Sequence, residues 1–332
     1  MPYQFDLEKV IKDNGIESLV KKAELVEPNL KENINQIIDS YSTHCTNCDA
    51  IAQQVLMSIL RAEDLKKIHS ARYRVKAMDS LAVKIIKKKA ELPKEPSNIY
   101  DIEKYRNLNK ENYYKVLMDL TGIRILIRYR TDWLTVHKWI RNQFYKGNEH
   151  YVKDCLEDYD HQPQHPFIVE KPKLYYRSKK DLVFYKQIDR GFFDFIESEE
   201  GYNSLHYIIN NDGKYIEIQF RTIFDEAWSE CTHDLVYKNK NKEKESELKY
   251  LSQCLAQQTI SAELIANMMY IKANDGDDFD SVGNMIDTLN MDYIYESSEE
   301  KNGIALGNIK DRIEKLNKNR TGFDGNIQNY LL

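Results

Sequence analysis

The run Tyr215 to Thr222 (YIEIQFRT) alternates polar and apolar side chains. On a strand, that period of two puts Tyr215, Glu217, Gln219 and Arg221 on one face and Ile216, Ile218 and Phe220 on the other. A carboxylate, an amide and a guanidinium over an apolar backing suit a strand that lines a polar cleft. The carboxylate could take a proton or ligate a hard cation, and its neighbours could hold a polar substrate. An ordinary half-exposed sheet gives the same alternation, so the strand does not define a site alone. A second run, ARYRVKAMDSLAVKIIKKK (71–89), spaces Arg72, Lys76, Ser80 and Lys84 four residues apart. On one helix these would form a stripe able to clamp a polyphosphate by charge and hydrogen bonding, with Val75, Met78, Leu81 and Ile85 packed inward. A solvated helix face has the same spacing. Asp119 stands just ahead of an apolar, strand-like run and Arg124 lies inside it. Asp119 could join a second carboxylate in holding Mg²⁺, and Arg124 is costly there unless paired.

These residues need elements to position them. From Asp6 to about Leu65 apolar residues recur at three-to-four spacing, which predicts helices. The pattern predicts a long helix over Ala71 to Ala90, closed by the Pro93/Pro96 loop. A short helix over Asn112–Met118 precedes a strand in which Ile123, Ile125, Ile127 and Tyr129 alternate. Residues 133–145 read as helix, and 145–195 is left without assignment. Two strands, Ser204–Asn210 and Tyr215–Thr222, flank Asn211-Asp212-Gly213, a hairpin turn. Helices are expected over Ile223–Tyr237, from Leu248 to Met269, and over Ile309–Leu316. The sum is an α+β fold: a small mixed, largely antiparallel sheet flanked by helices, with helical extensions at both ends.

Length, composition and charge narrow the classes. The 332 residues carry 48 Lys and Arg against 53 Asp and Glu, a net charge of -5. Mean hydropathy of -0.66 and the lack of an apolar run long enough for a bilayer describe a soluble globular chain. Five Cys, an odd number, do not form a disulfide framework, and the amino-terminal residues lack the pattern of a signal peptide. A cytoplasmic, reduced protein is expected. The charge is segregated: residues 66–94 carry a net of +8, 171–190 a net of +5, and 273–301 a net of -8. Basic blocks in a mildly acidic chain point to local binding of polyanions such as nucleotide phosphates or RNA.

Four motifs occur in one order: RVKAMDSLAVKI (74–85), DLTGIRI (119–125), GYNSLHYII (201–209) and EIQFRTIFDEAWSECTHDLVYK (217–238). In order and spacing the sequence resembles the RelA/SpoT-type alarmone synthetase domain, over roughly residues 69–240. Residues 1–68 and 241–332 are then helical extensions. The resemblance implies a nucleotidyltransferase-like fold and transfer of pyrophosphate from ATP to the 3′-hydroxyl of a guanine nucleotide. It implies that Arg74 and Arg124 sandwich the adenine and that Lys76, Ser80 and Lys84 hold the ATP phosphates. Asp119 and Glu217 would bind Mg²⁺, with Glu217 also a base for the attacking hydroxyl. Tyr202 would stack on the acceptor base, with His206, Gln219, Arg221 and His233 near the acceptor. The metal-binding His…His-Asp set of the hydrolase half has no counterpart upstream, so no built-in hydrolysis is expected.

The chain departs from the family pattern at three places. Glu199 and Glu200 stand where a basic residue is usual, Asn203 replaces Arg, Lys or Gln, and Glu226 falls where some small synthetases have Asn. These departures and the 171–190 block motivate an alternative, a toxic relative that pyrophosphorylates tRNA 3′ ends or an adenine nucleotide. An inactive nucleotide- or RNA-binding module is a third reading. Homo-oligomerisation through the flanking helices stays open. His44, Cys45 and Cys48 have only half of a zinc-site pattern and are expected to be structural. The acidic run 275–280 lacks the spacing of a calcium loop.

Overall fold

The computed structural model describes residues 5–91, 99–144, 167–177, 181–182, 185, 191–198, 201–232, 235 and 245–274. Its elements in chain order are α1 (Leu7–Asn14), α2 (Glu17–Glu24), α3 (Leu30–Arg61), β1 (Ser70–Val75), α4 (Met78–Ala90), α5 (Ile99–Arg106), α6 (Tyr113–Val116), β2 (Thr121–Ile127), α7 (Trp133–Phe144), β3 (Phe167–Ile168), β4 (Lys173–Tyr176), β5 (Asp194–Glu197), β6 (Ser204–Asn211), β7 (Lys214–Thr222), α8 (Ile223–Thr232) and α9 (Glu245–Asn274). Residues through Asn267 form one compact unit, and the chain from Met268 belongs to a second. The predicted helix over Ile309–Leu316 lies outside the described residues.

The fold is α+β. Seven strands among the described residues make one mixed sheet in the order β1-β2-β7-β6-β4-β5, with β3 on β6. The pairs β2/β7 and β4/β5 are parallel and the others antiparallel. The β6–β7 hairpin closes on Asp212 and Gly213, whose φ angles of 51° and 71° are those of the tight turn that matches strand twist. On one face Ile123, Ile125 and Ile127 of β2 join Ile216, Ile218 and Phe220 of β7 and Leu205, Tyr207 and Ile209 of β6. Helix α7 and the carboxy-terminal half of α3 cover that face with Trp133, Trp139, Ile140, Val55 and Ile59. Cross-strand rows of the opposite face carry the charged side chains, among them Arg72, Arg74, Arg124, Glu217 and Arg221.

The stretch Ala71 to Ala90 is not one helix. Ser70–Val75 is an edge strand with exposed and half-buried residues in alternation, antiparallel to β2, and the helix begins at Met78. The Arg72/Lys76/Ser80/Lys84 stripe therefore does not exist as predicted. Arg72 lies on β1, Lys76 in the link, and Ser80 and Lys84 on α4. The cause is the period of ARYRV, in which Ala71 and Tyr73 pack against the sheet core while Arg72 and Arg74 face the other way. The unassigned stretch supplies β3, β4 and β5 at the far edge.

A second core lies among α1, α2, the first half of α3, and α4, where Leu30, Ile34, Ile37 and Ile38 meet Leu81, Ile85 and Ile86. Helix α3 serves both cores. Lys89 of α4 is almost fully enclosed and donates to Glu27 Oε2 at 2.6 Å and to the Arg106 and Leu108 carbonyls at 3.0 and 3.1 Å. Lys89→Met keeps the stem and removes three donated bonds, so it is expected to destabilise the protein by about 2–3 kcal/mol. Thermal denaturation checks this, and an unchanged midpoint would contradict it. Among the described residues no helix is long and apolar enough to cross a membrane.

Candidate active site

Strand register assembles the polar face. Arg74, Gly122, Glu217 and Ile208 form one cross-strand row, and Arg72, Arg124, Gln219, His206 and Lys173 form the next. A cleft of about 440 Å³ opens over the first strands, lined by Arg72, Arg74, Gly122, Arg124, Glu217, Gln219, Ser229 and Glu230. Arg74 lies over Gly122, its Nε 3.6 Å from where a Cβ would stand, an ordinary packing distance.

At one end of the face Asp119, two residues before β2, takes two ammonium groups. Lys76 Nζ donates to Oδ2 at 2.8 Å, and Lys84 Nζ pairs with Oδ1 at 2.7 Å. Burial works against the charge of Asp119, but Lys84 and Lys76 outweigh it and hold the carboxyl below its usual range. Lys76 is fixed through its backbone. Its N–H donates to the Leu120 carbonyl at 2.8 Å, and its own carbonyl accepts from the Tyr41 hydroxyl of α3 at 2.7 Å. Ser80 is exposed on α4, one turn before Lys84.

Glu217 is at the centre of a closed polar ring. Burial pushes its carboxyl up, yet the bonds and charge from His206 hold it below its usual range, against a contrary push from nearby Asp119. His206 Nδ1 lies 3.1 Å from Oε1, and Gln219 Nε2 donates to Oε2 at 2.7 Å. Burial keeps the Tyr202 phenol protonated. Its hydroxyl lies 2.8 Å from His206 Nε2, so the imidazole bridges Tyr202 and Glu217. Arg221 donates to Gln219 Oε1 at 3.1 Å, and its guanidinium lies 5.4 Å from the Tyr202 ring centre. The Tyr175 ring of β4 packs on His206 at 4.7 Å and on Tyr202 at 5.5 Å.

Helix α8 walls the cleft. Thr222 and Asp225 cap its first turn reciprocally, Thr222 Oγ1 accepting from the Asp225 N–H at 3.2 Å and Asp225 Oδ2 accepting from the Thr222 N–H at 3.2 Å. Glu226 and Glu230 then face the strands. Arg124 Nη1 donates to both, at 2.7 and 2.8 Å, Arg72 also bonds both, and Arg221 Nη1 is 3.4 Å from Glu226 Oε2. The pairing demanded of an arginine in an apolar strand is thus met by α8.

Of the residues singled out from the sequence, Asp119, Lys76 and Lys84 form one cluster. Glu217, Tyr202, His206, Gln219 and Arg221 form another, and Arg74 and Arg124 line the cleft. His233, like Glu199 and Glu200, lies outside the described residues. Sequence reasoning did not single out the pairing of Arg72 with α8. Its signal was the shared face of Arg72 and Arg74 in a strand read as helix. His44 and Cys45 stand apart, bonded to carbonyls of their own helix. Among the described residues no three His, Cys, Asp or Glu side chains group to hold a metal. Asp119 and Glu217 are a pair of hard oxygen donors, and the charge of Asp119 reaches Glu217. Such a pair fits Mg²⁺, which commonly takes one or two carboxylates and completes its shell with water and phosphate.

The model of the region found in RelA / SpoT proteins matches residues 73–242. No curated protein matches the chain. Solved structures similar to it include the small alarmone synthetase 1 of Bacillus subtilis bound to its product pppGpp, at 15% identity over 72% of this chain and 96% of that one, with a TM-score of 0.40. A GTP pyrophosphokinase family protein from Streptococcus pneumoniae is similar at 15% identity over 77% and 96%, with a TM-score of 0.37. The small alarmone synthetase 2 of Bacillus subtilis is similar at 18% identity over 68% and 96%, with a TM-score of 0.34. Because the family region spans half of its length, the chain belongs to the RelA/SpoT family and is an enzyme of the pyrophosphokinase type.

Proposed function

We propose that the protein transfers the β,γ-pyrophosphoryl group of ATP to the 3′-hydroxyl of GDP or GTP, releasing AMP. The observation that carries this reading is the pair of clusters side by side on one sheet face: Asp119 with two lysines, and Glu217 in its ring with His206. Lys76, Lys84 and Ser80 face the ATP phosphates beside the first turn of α4, whose N–H groups have no side-chain cap. Arg74 and Arg124 hold the adenine in the cleft, Arg124 exchanging its α8 carboxylates for the ring. Tyr202 stacks on the acceptor base, with Gln219, Arg221 and His233 nearby. Glu217 accepts the proton of the 3′-hydroxyl as that oxygen bonds to the β-phosphorus and the bridge to the α-phosphate breaks. Mg²⁺ held by Asp119 and Glu217 would neutralise charge on the transferring group. In this scheme the chain mainly positions two nucleotides and stabilises charge.

Lys84→Ala should raise KM for ATP by about 10- to 100-fold, the worth of one charge-assisted bond. It should also move acid unfolding to higher pH. A carboxyl held below its unfolded value stabilises the fold above that value and loses the contribution as pH falls through the depressed one. Without Lys84 the Asp119 contribution disappears at higher pH. An unchanged KM and an unchanged acid midpoint would both contradict the placement.

The direct test incubates the protein with Mg²⁺ and γ-labelled ATP, in parallel with GDP, GTP, ADP or deacylated tRNA, each with Glu217→Ala as control. Label on GDP or GTP is the expected result. Label only on ADP or tRNA would replace the acceptor, and no transfer would favour a binding module. In the basic block that motivates a tRNA acceptor, Arg177 is buried on Asp181 and Lys173 pairs with the buried Glu170, while Lys171 pairs with Asp194 at the surface, so two of these three members face inward partners. A cytoplasmic location fits the four described cysteines, none of which is in a disulfide.

A further inference from the structure

The Gly201–Asn203 loop, which carries Tyr202, rests on a helix outside the family region. The matched region ends at residue 242, and α9 begins at Glu245. Gly201 has a φ of 89°, and a Cβ there would stand 3.1 Å from the Ala256 Cβ of α9 and 3.5 Å from the Trp228 ring. Trp228 is itself bonded to α9, its indole N–H donating to the Ser252 carbonyl at 3.0 Å. On the other side of Tyr202, Asn203 is 1% exposed, and its Oδ1 accepts from Arg130 Nη1 at 2.7 Å. Glu263 of α9 grips Arg130 with both oxygens, taking Nε and Nη2 at 2.7 Å each. Ser252, Ala256 and Glu263 follow at intervals of four and seven, so one face of α9 makes all three contacts.

We infer that α9 positions the Gly201–Asn203 loop for acceptor binding, with Glu263 acting through Arg130 and Asn203, and Ala256 acting directly on Gly201. The inference rests on the proposed role of Tyr202 at the acceptor. Tyr202 reaches His206 with 2.8 Å between the bonded atoms, so a loop shift of about 1 Å ends the bond. A loop with a left-handed glycine is otherwise free to move, and an unordered loop would subtract its ordering entropy from acceptor binding. By holding both flanks of Tyr202, α9 orders the loop before the acceptor arrives. Glu263 and Ala256 are positioning residues, since neither touches the ring around Glu217.

The test compares wild type with Glu263→Ala, with Glu263→Gln, which retains one acceptor oxygen for Arg130, and with Ala256→Val, which crowds Gly201 without touching the buried charges. Pyrophosphoryl transfer is measured as kcat and as separate KM values for ATP and for the guanine nucleotide. Amide hydrogen exchange is followed at 201–203. For Glu263→Ala and Ala256→Val the expected result is an acceptor KM raised by about tenfold or more, with kcat and KM for ATP within about twofold. Exchange at 201–203 is expected to be faster by about tenfold while the β2 and β7 amides keep their protection. Glu263→Gln should recover part of both effects. A merely structural role would lower the active fraction and leave the ratio of the two KM values unchanged, which would overturn the inference. If wild type transfers nothing to guanine nucleotides, the functional reading fails by itself, and exchange still decides whether α9 holds the loop. Unchanged exchange in Glu263→Ala and Ala256→Val would overturn it.

Discussion

Glu217→Gln is expected to lower the rate of pyrophosphoryl transfer by about a thousandfold, within the span commonly supplied by a positioned proton acceptor. The substitution keeps the size of the side chain and an oxygen for one of its two donors. It removes the negative charge between His206 and Gln219 and the site for the hydroxyl proton. Since His206 holds the carboxyl below its usual range, Glu217 is ionised across the neutral range, and the loss should be as large at pH 6 as at pH 8. In the proposed scheme ATP is held by Arg74, Arg124, Lys76 and Lys84, so KM for ATP should move far less than kcat. Initial rates with labelled ATP at several pH values provide the check. A rate within tenfold of wild type would remove Glu217 from the chemistry.

Arg130→Leu is expected to have the largest effect on stability. Its guanidinium is 2% exposed and donates to Glu263, Asp225, Asn203 and Tyr185 at 2.7 to 3.0 Å. Burial alone would weaken its charge, and Asp225 and Glu263 more than restore it. Without Arg130, the buried carboxylates of Asp181, Asp225 and Glu263 would face Arg177. Removing one partner of a buried ion network leaves uncompensated charge and costs about 3–5 kcal/mol. That corresponds to a fall of roughly 10 °C in the melting temperature for a unit of this size. A midpoint within about 2 °C of wild type would show that the carboxylates relax or take up protons at little cost.

The sheet centre was legible because its code is local. In β2 and β7 every second residue is apolar, and Asp212-Gly213 supplies the positive φ angles of the turn. The same reading failed at β1. The chain passes from strand to helix through Lys76 and Ala77 with no glycine, proline or turn residue to mark the change. Ala, Arg and Lys favour helix, so a six-residue edge strand was absorbed into the helix that follows. Strands β3, β4 and β5 span two to four residues each, too short for a period to register. Lys76, Lys84 and Asp119 were singled out by spacing and position and then by motif, but their common meeting point depends on the link between β1 and α4. The Arg130–Glu263 pair joins residues 133 positions apart, and nothing near either one announces the other. Local alternation shows which side chains share a face, and only the packed chain shows which charges meet.

Helix α3 runs for 32 residues, about 48 Å of rod at 1.5 Å per residue. Its first half is buried in the helical core and its second half in the core under the sheet, with Tyr41 bonded to the Lys76 carbonyl between them. A rod embedded at both ends carries strain from one core to the other, so loss of order in the amino-terminal helices should not stop at a boundary. The two cores should melt as a single calorimetric event, and the lysines at Asp119 should lose their geometry in that event rather than after it. For the chain's evolution, the amino-terminal helices are then part of the frame of the proposed site, and their insertion, loss or exchange is constrained by the same packing that holds Lys76 in place.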